Sequence, residues 1–198
     1  MSRLSSGFAV FPGIAFALGT WQVYRWDWKQ KQLAYREERR VAPVQDFSSE
    51  MDADAMDFKR VRATGRFDHS LEVRSGPRSF EGSSGFFVLT PLVLESGKRV
   101  VVNRGWVPRE DDQSIVRPQG QIELVGVVRK GEKQALFIPD NDGKTFFWLD
   151  QTALNAACQA DFPVRLDAVR SKDPKSEPPI GGQTVYWMPN NHATYIAT

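Results

Sequence analysis

Cysteine is almost missing from this sequence. Cys158 stands alone in 198 residues, so neither an internal disulfide nor a cysteine-based zinc cluster can form within the chain. Histidine is nearly as scarce: His69 and His192 leave little room for a histidine metal centre or a charge-relay triad. A dominant sign of charge is lacking too. Lys+Arg is 26 against Asp+Glu 24, net +2, and a nucleic-acid binder working by counterion release needs a strongly basic face. Gly181-Gly182 and Gly82-Ser83-Ser84-Gly85 lack the spacing and the following Lys of a phosphate-binding loop. No histidine is placed to act as a base beside Ser83 or Ser84. The acidic pairs Glu37-Glu38 and Asp111-Asp112 are adjacent in sequence, hence divergent, and belong on solvated surface. Catalytic residues and a metal site are therefore not expected, and the chain does not read as an enzyme.

What is present is divided. Residues 1–40 hold seven Lys/Arg and three Asp/Glu, net +4, so the rest of the chain is about −2. Between Arg3 and Arg25 lie 21 residues without a charge, close to the roughly 20 that a membrane helix needs. Pro12 and Gly13 within it are tolerated in membrane helices. Trp21, Tyr24, Trp26 and Trp28 fall where an aromatic belt would sit. Read as a cleaved targeting peptide, the same stretch would leave a mature chain opening on Leu18, with an aromatic run and no membrane to serve; a retained anchor is the expectation. The helical pattern continues to Arg40, with Trp21, Tyr24, Trp28 and Tyr35 on one stripe and Lys and Arg between them for phospholipid head groups. Six Lys/Arg follow the span and one precedes it, a bias that by itself puts the following part on the inner, positive side.

After Pro43 the periodicity changes from helical to alternating. Arg60–Phe67 reads as a strand with one solvated face, and Leu71–Arg74 repeats the pattern after a turn at Asp68-His69. Gly85–Thr90 and Arg99–Asn103 are dense enough to be strands buried on both faces, joined by a hairpin at Glu95–Lys98. Residues 123–129, 145–149, 164–169 and 184–188 complete the strand set. Asp150 is an N-cap for a helix over 151–158, which places Leu154 and Cys158 on the face toward the sheet; Cys158 is expected as a small buried hydrophobe. The expectation is a mostly β protein, an antiparallel β-rich α+β domain over residues 41–198, on one N-terminal transmembrane helix within residues 1–40.

Three polar clusters are less ordinary. Asn103-Arg104-Gly105-Trp106-Val107-Pro108 ends an apolar strand with a cation, a Gly and a Trp, and reads as a strand end turning on Gly105 with Trp106 packed beneath. Phe137–Gly143 is a turn-dense loop that Asx turns explain. Asn190-Asn191-His192-Ala193-Thr194-Tyr195 closes the chain with polar groups beside an aromatic, and His69 reads as a surface histidine.

Together with Gly19-Thr20-Trp21-Gln22, Arg25, Trp28-Lys29, Gly65-Arg66-Phe67-Asp68-His69 and Pro179–Thr184, these clusters fall in an order that resembles the surfeit locus protein 1 family, in its mitochondrial branch, over residues 18–198. The resemblance implies an inner-membrane factor for building cytochrome c oxidase (complex IV), with a β-rich domain on the intermembrane-space side, opposite to the charge bias. It implies oxidase subunits as partners, above all the large catalytic subunit, with membrane lipid and no nucleic acid. It also implies haem a handling, with His192 as candidate axial ligand and Tyr195 beside it. Gly65, Arg104, Gly105 and Trp106 fall in motifs that matter for the domain's integrity. Family members carry a second membrane helix after the Tyr, whereas this sequence stops at Thr198, so weak haem binding, or none, is expected of the chain alone. The alternative is a permanent accessory subunit of the oxidase or a respiratory supercomplex, without haem.

Overall fold

The computed structural model describes residues 5–48, 50–110, 115–141, 145–169 and 178–182, with side chains from Phe11 onward. The residues group into two compact units, one containing 1–41 and the other Ala42–Thr184. His192, Tyr195 and the strand expected over 184–188 lie outside the described residues.

In the first unit, α1 runs over Ser5–Val41, 37 residues with Pro12 inside. Its basic half satisfies much of its charge along its own surface. Lys31 pairs with Asp27 at 2.7 Å, Arg25 lies over the Trp21 ring and Arg39 over the Tyr35 ring. Thr20 folds its hydroxyl back onto the Phe16 carbonyl at 2.9 Å. Phe11, Ile14, Phe16, Leu18, Trp21 and Tyr24 are exposed. The expected transmembrane helix is met only in part: the long helix is there, but among the described residues no helix is long and apolar enough to cross a membrane.

The second unit is built on β1 (Gln45–Asp46), β2 (Arg60–Phe67), β3 (Val73–Phe80), β4 (Ser83–Leu94), β5 (Arg99–Pro108), β6 (Gln121–Arg129), β7 (Thr145–Phe146) and β8 (Arg165–Ala168), with a four-residue α2 (Ala53–Met56) and α3 (Gln151–Cys158). Pairing runs β2–β6–β8–β5–β4, and β4 returns to β2 through Gly65↔Leu94 and Phe67↔Leu92, which closes a five-stranded barrel. β4 is long enough for two tasks: its last third closes the barrel, while its first two thirds form a hairpin with β3 that carries β7 at its outer edge. Three pairings are parallel, β1–β2, β3–β7 and β5–β8, and the rest antiparallel.

Alternation explains the core. Val61, Ala63 and Phe67 of β2 point into the barrel with Val100 and Val102 of β5, Leu92 and Leu166. Val101, between those two β5 residues, faces the other way and meets Leu89, Phe146, Leu149, Leu154 and Cys158 beneath α3. β5 is thus buried on both faces, as its unbroken apolar run requires. Gly65 sits where the barrel closes: a Cβ there would lie 2.3 Å from the Val93 carbonyl oxygen, so only glycine lets β2 and β4 meet. α3 has the expected bounds, with the Asp150 side chain accepting from the Thr152 N–H at 3.0 Å.

Two local expectations are corrected. The second strand begins at Val73, not Leu71, because Asp68 accepts from the Ser70 N–H (3.1 Å) and hydroxyl (2.5 Å) and winds His69–Leu71 into a 3-10 turn. β5 does not end or turn at Gly105. It runs on to Pro108 through a bulge: Val88 pairs with Gly105 and Leu89 with Asn103, which leaves Arg104 as the extra residue.

Burial fixes the chemistry of Cys158. Its thiol is pushed up to about 12 by desolvation, and its Sγ lies 3.6 Å from the Leu71 carbonyl oxygen. At neutral pH it is a thiol, not a nucleophilic thiolate. A maleimide reagent should leave the folded protein unlabelled and modify one site per chain after denaturation; mass spectrometry checks this, and rapid labelling of the native protein would contradict the packing under α3.

Candidate functional site

The bulge gathers the unusual residues. Gly105 adopts φ +133°, and Trp106 returns to the strand, buried, with its indole N–H donating to the Arg78 carbonyl at 3.0 Å. On the free edge beside it lies the Pro179-Ile180-Gly181 segment. Trp106 N–H donates to the Ile180 carbonyl (2.9 Å), and Ile180 N–H returns a bond to the Trp106 carbonyl (2.8 Å). Gly182 N–H reaches the Ala168 carbonyl at 2.8 Å, and Val116 N–H reaches Pro178 at 3.0 Å. Residues 178–182 serve here as a rib that ties β5 to the end of β8.

Arg104, expelled by the bulge, turns toward a buried acid. Its Nη1 is 3.2 Å from Glu72 Oε2, its Nη2 donates to the Val116 carbonyl, and its guanidinium lies over the Phe67 ring. Glu72, 8% exposed, also accepts from Arg117 at 2.8 Å and from the Thr90 hydroxyl at 3.3 Å. Burial lowers the Arg104 pKa and the Arg117 charge lowers it further, while Glu72 raises it; a guanidinium stays protonated throughout. His69 is not a surface residue. Its Nε2 is 2.9 Å from the Pro118 carbonyl and its Nδ1 is 3.8 Å from Glu72. Phe67, Arg104, Val116, Pro118, Pro179 and Gly181 line the cleft above this network, about 290 Å³.

Three motifs distant in sequence, at 65–69, 103–108 and 179–182, therefore meet at one end of the barrel. The arrangement binds charge to charge around Glu72. Glu72 is saturated by cations and a hydroxyl, and both His69 nitrogens face protein atoms. Among the described residues no group of three or more His, Cys, Asp or Glu could hold a metal ion, and no imidazole is open to a haem iron. Haem thus has no fit among the described residues. The fourth motif lies elsewhere. Asn141 accepts from the Phe147 and Trp148 N–H groups (2.8 and 3.4 Å) and donates to the Trp148 carbonyl (3.1 Å), which is a staple onto the residues that follow β7 and not the local Asx turn expected.

The sequence reading missed Glu72 and Arg117, which carry no pattern of their own, and Arg165, 2% exposed. Arg165 donates to Asp167 (3.0 Å) and to the Lys130 carbonyl (2.7 Å). Its signal was available: two opposite charges at alternate positions inside the apolar run Val164-Arg165-Leu166-Asp167.

The SURF1 family model matches residues 9–198, and thus takes in every element of the barrel and all four motifs. This chain belongs to the SURF1 family. The SURF1-like protein of Drosophila melanogaster is 35% identical over 211 residues, 96% of this chain and 70% of the fly protein. Human surfeit locus protein 1 is 36% identical over 213 residues, again 96% and 70%. The SURF1-like protein of Monosiga brevicollis is 35% identical over 205 residues, 94% of this chain and 78% of the relative. The matched span thus includes the residues that close the barrel (Gly65), bulge it (Arg104, Gly105) and rib it (Ile180).

Proposed function

We propose that this chain is a non-enzymatic factor in the assembly of cytochrome c oxidase. It would be held at the mitochondrial inner membrane by α1, with the barrel domain on the intermembrane-space side and the oxidase's large catalytic subunit as its principal partner. The family match across residues 9–198 carries the reading. The site supports it in that the Arg104 guanidinium, the Glu72 carboxylate and His69 Nε2 are all bonded within the domain. The membrane anchor is supported by the charge-free run from Leu4 to Tyr24 and by the exposed apolar side chains of α1.

The test is stoichiometry. A tagged chain at native expression should co-purify with newly made oxidase subunits at well under one copy per enzyme, and its deletion should lower the amount of assembled oxidase. A one-to-one ratio in the mature enzyme would instead make it an accessory subunit. Alkaline carbonate extraction should leave the chain in the membrane pellet, and recovery in the supernatant would remove the anchor. A finer part of the proposal is haem a handling through His192 and Tyr195. Soret absorbance during haem a titration tests it: a saturable band lost in His192→Ala supports the assignment, and identical spectra for both proteins overturn it.

A further inference from the structure

Between β6 and β7 the chain makes a tight turn in which Ile138 N–H donates to the Ala135 carbonyl at 3.0 Å. Its two central residues are Leu136 and Phe137, 96% and 97% exposed. Central turn positions ordinarily hold Pro, Asp, Asn, Ser or Gly, because nothing covers them. Outside α1, the next most exposed large apolar residues among the described residues are Val169 at 43% and Val116 at 41%. The turn is built to hold its tip outward. Gln134 donates from one amide nitrogen to the Ile138 carbonyl (3.0 Å) and to Asp140 (2.9 Å), and Asn141 staples the returning strand to Phe147 and Trp148. At the near end, Glu132 N–H donates to the Leu149 carbonyl at 2.9 Å, while Leu149 N–H donates to the Glu132 carboxylate at 3.2 Å.

We propose that Leu136 and Phe137 form a finger that enters the surface of the lipid bilayer, a second membrane contact beside α1; the proposal rests on the reading that the chain is membrane-held. The size of the finger favours lipid over protein. Two side chains on a convex tip offer at most about 400 Å², whereas a standard protein interface takes about 800 Å² from each partner. A bilayer needs no complementary partner surface, and an apolar side chain gains there in proportion to the area it buries. A tethered domain also meets the membrane at high effective concentration, so a contact too weak to recruit a free protein suffices to orient an attached one. The exposed apolar pair is otherwise an aggregation hazard with no role in the barrel core.

Because Cys158 is buried, a cysteine introduced at Ala135 is the one reactive thiol. The full chain carrying Ala135→Cys, labelled with an environment-sensitive fluorophore, is reconstituted into phosphatidylcholine vesicles with brominated acyl chains; a Ser96→Cys label on the β4–β5 hairpin is the control. The expected result is a shift of the 135 label to shorter wavelength, with quenching by the bromolipid that is lost in Leu136→Ser/Phe137→Ser. The 96 label should stay aqueous. The double variant should melt with the parent, since neither side chain packs on the domain. A vesicle-bound chain whose 135 label is quenched only by aqueous iodide overturns the finger and leaves the anchor standing. Shielding that arises only on addition of solubilised oxidase, without bromolipid quenching, overturns it in favour of a protein contact. Failure of the full chain to associate with vesicles overturns the anchor itself.

Discussion

Gly105→Ala should lower the stability of the barrel domain by about 3–5 kcal/mol, and Gly105→Glu should abolish folding. At φ +133° an L-residue is strained, by about 1–3 kcal/mol. A Cβ at this position would also lie 2.2 Å from the Ile180 carbonyl oxygen, 2.3 Å from its carbon and 2.6 Å from the Gly181 nitrogen. These are backbone atoms of the rib and cannot rotate away, so the rib must leave. Its departure breaks the two Trp106–Ile180 hydrogen bonds, worth about 1 kcal/mol each. Thermal unfolding of the purified protein should show a fall in Tm of about 10 °C for the alanine variant, at roughly 2–4 °C per kcal/mol for a domain of this size. Gly19→Ala is the contrast, because nothing lies within 4 Å of its added Cβ, and it should leave Tm unchanged. Equal melting of Gly105→Ala and the parent would show that the rib does not hold this bulge.

The regular part of the fold was legible because each element answers to one local rule. Alternation over Arg60–Phe67 set β2 to the residue, and Asp150 with Leu154 and Cys158 set α3. The doubly buried β5 followed from an apolar run with no solvated face. The bulge was not legible. Arg104-Gly105 after an apolar run reads as a strand leaving the sheet, but Phe87 of β4 pairs with Trp106 on one side and the rib from residues 178–182, more than seventy positions away, pairs with it on the other, so the strand continues. His69 was misread for the same reason: Asp68 announces a turn, and a turn implies surface, but Glu72 and Pro118 close over the ring. Barrel closure was hidden in Gly65, whose need for a missing Cβ depends on the Val93 carbonyl of another strand. Of the site residues named from sequence, Gly65 lies at the barrel closure, Arg104 and Gly105 in the bulge and Trp106 against the rib, and Gly105 does not end the strand.

Glu72→Ala should be the most damaging side-chain truncation at the cleft, costing about 3–5 kcal/mol, the range for removing one partner of a buried ion pair. Arg104 is as buried as Glu72 and cannot shed its charge. Without the carboxylate its guanidinium keeps only the Val116 carbonyl and the Phe67 face. Arg117, the acid's other cation, is much more exposed, so Arg117→Ala should cost no more than about 1 kcal/mol. Glu72→Gln falls between them, because an amide oxygen still accepts from Arg104 but no longer neutralises it. The decisive measurement is a double-mutant cycle by denaturant unfolding with Arg104→Met. Removing both charges leaves no orphaned ion, so the double variant should be more stable than Glu72→Ala alone, and the coupling should exceed the roughly 0.5 kcal/mol within which independent sites add. Strict additivity, or a Glu72→Ala cost no larger than that of Arg117→Ala, would mean that the ion pair at the barrel end is solvated and that the bulge does not place Arg104 for Glu72.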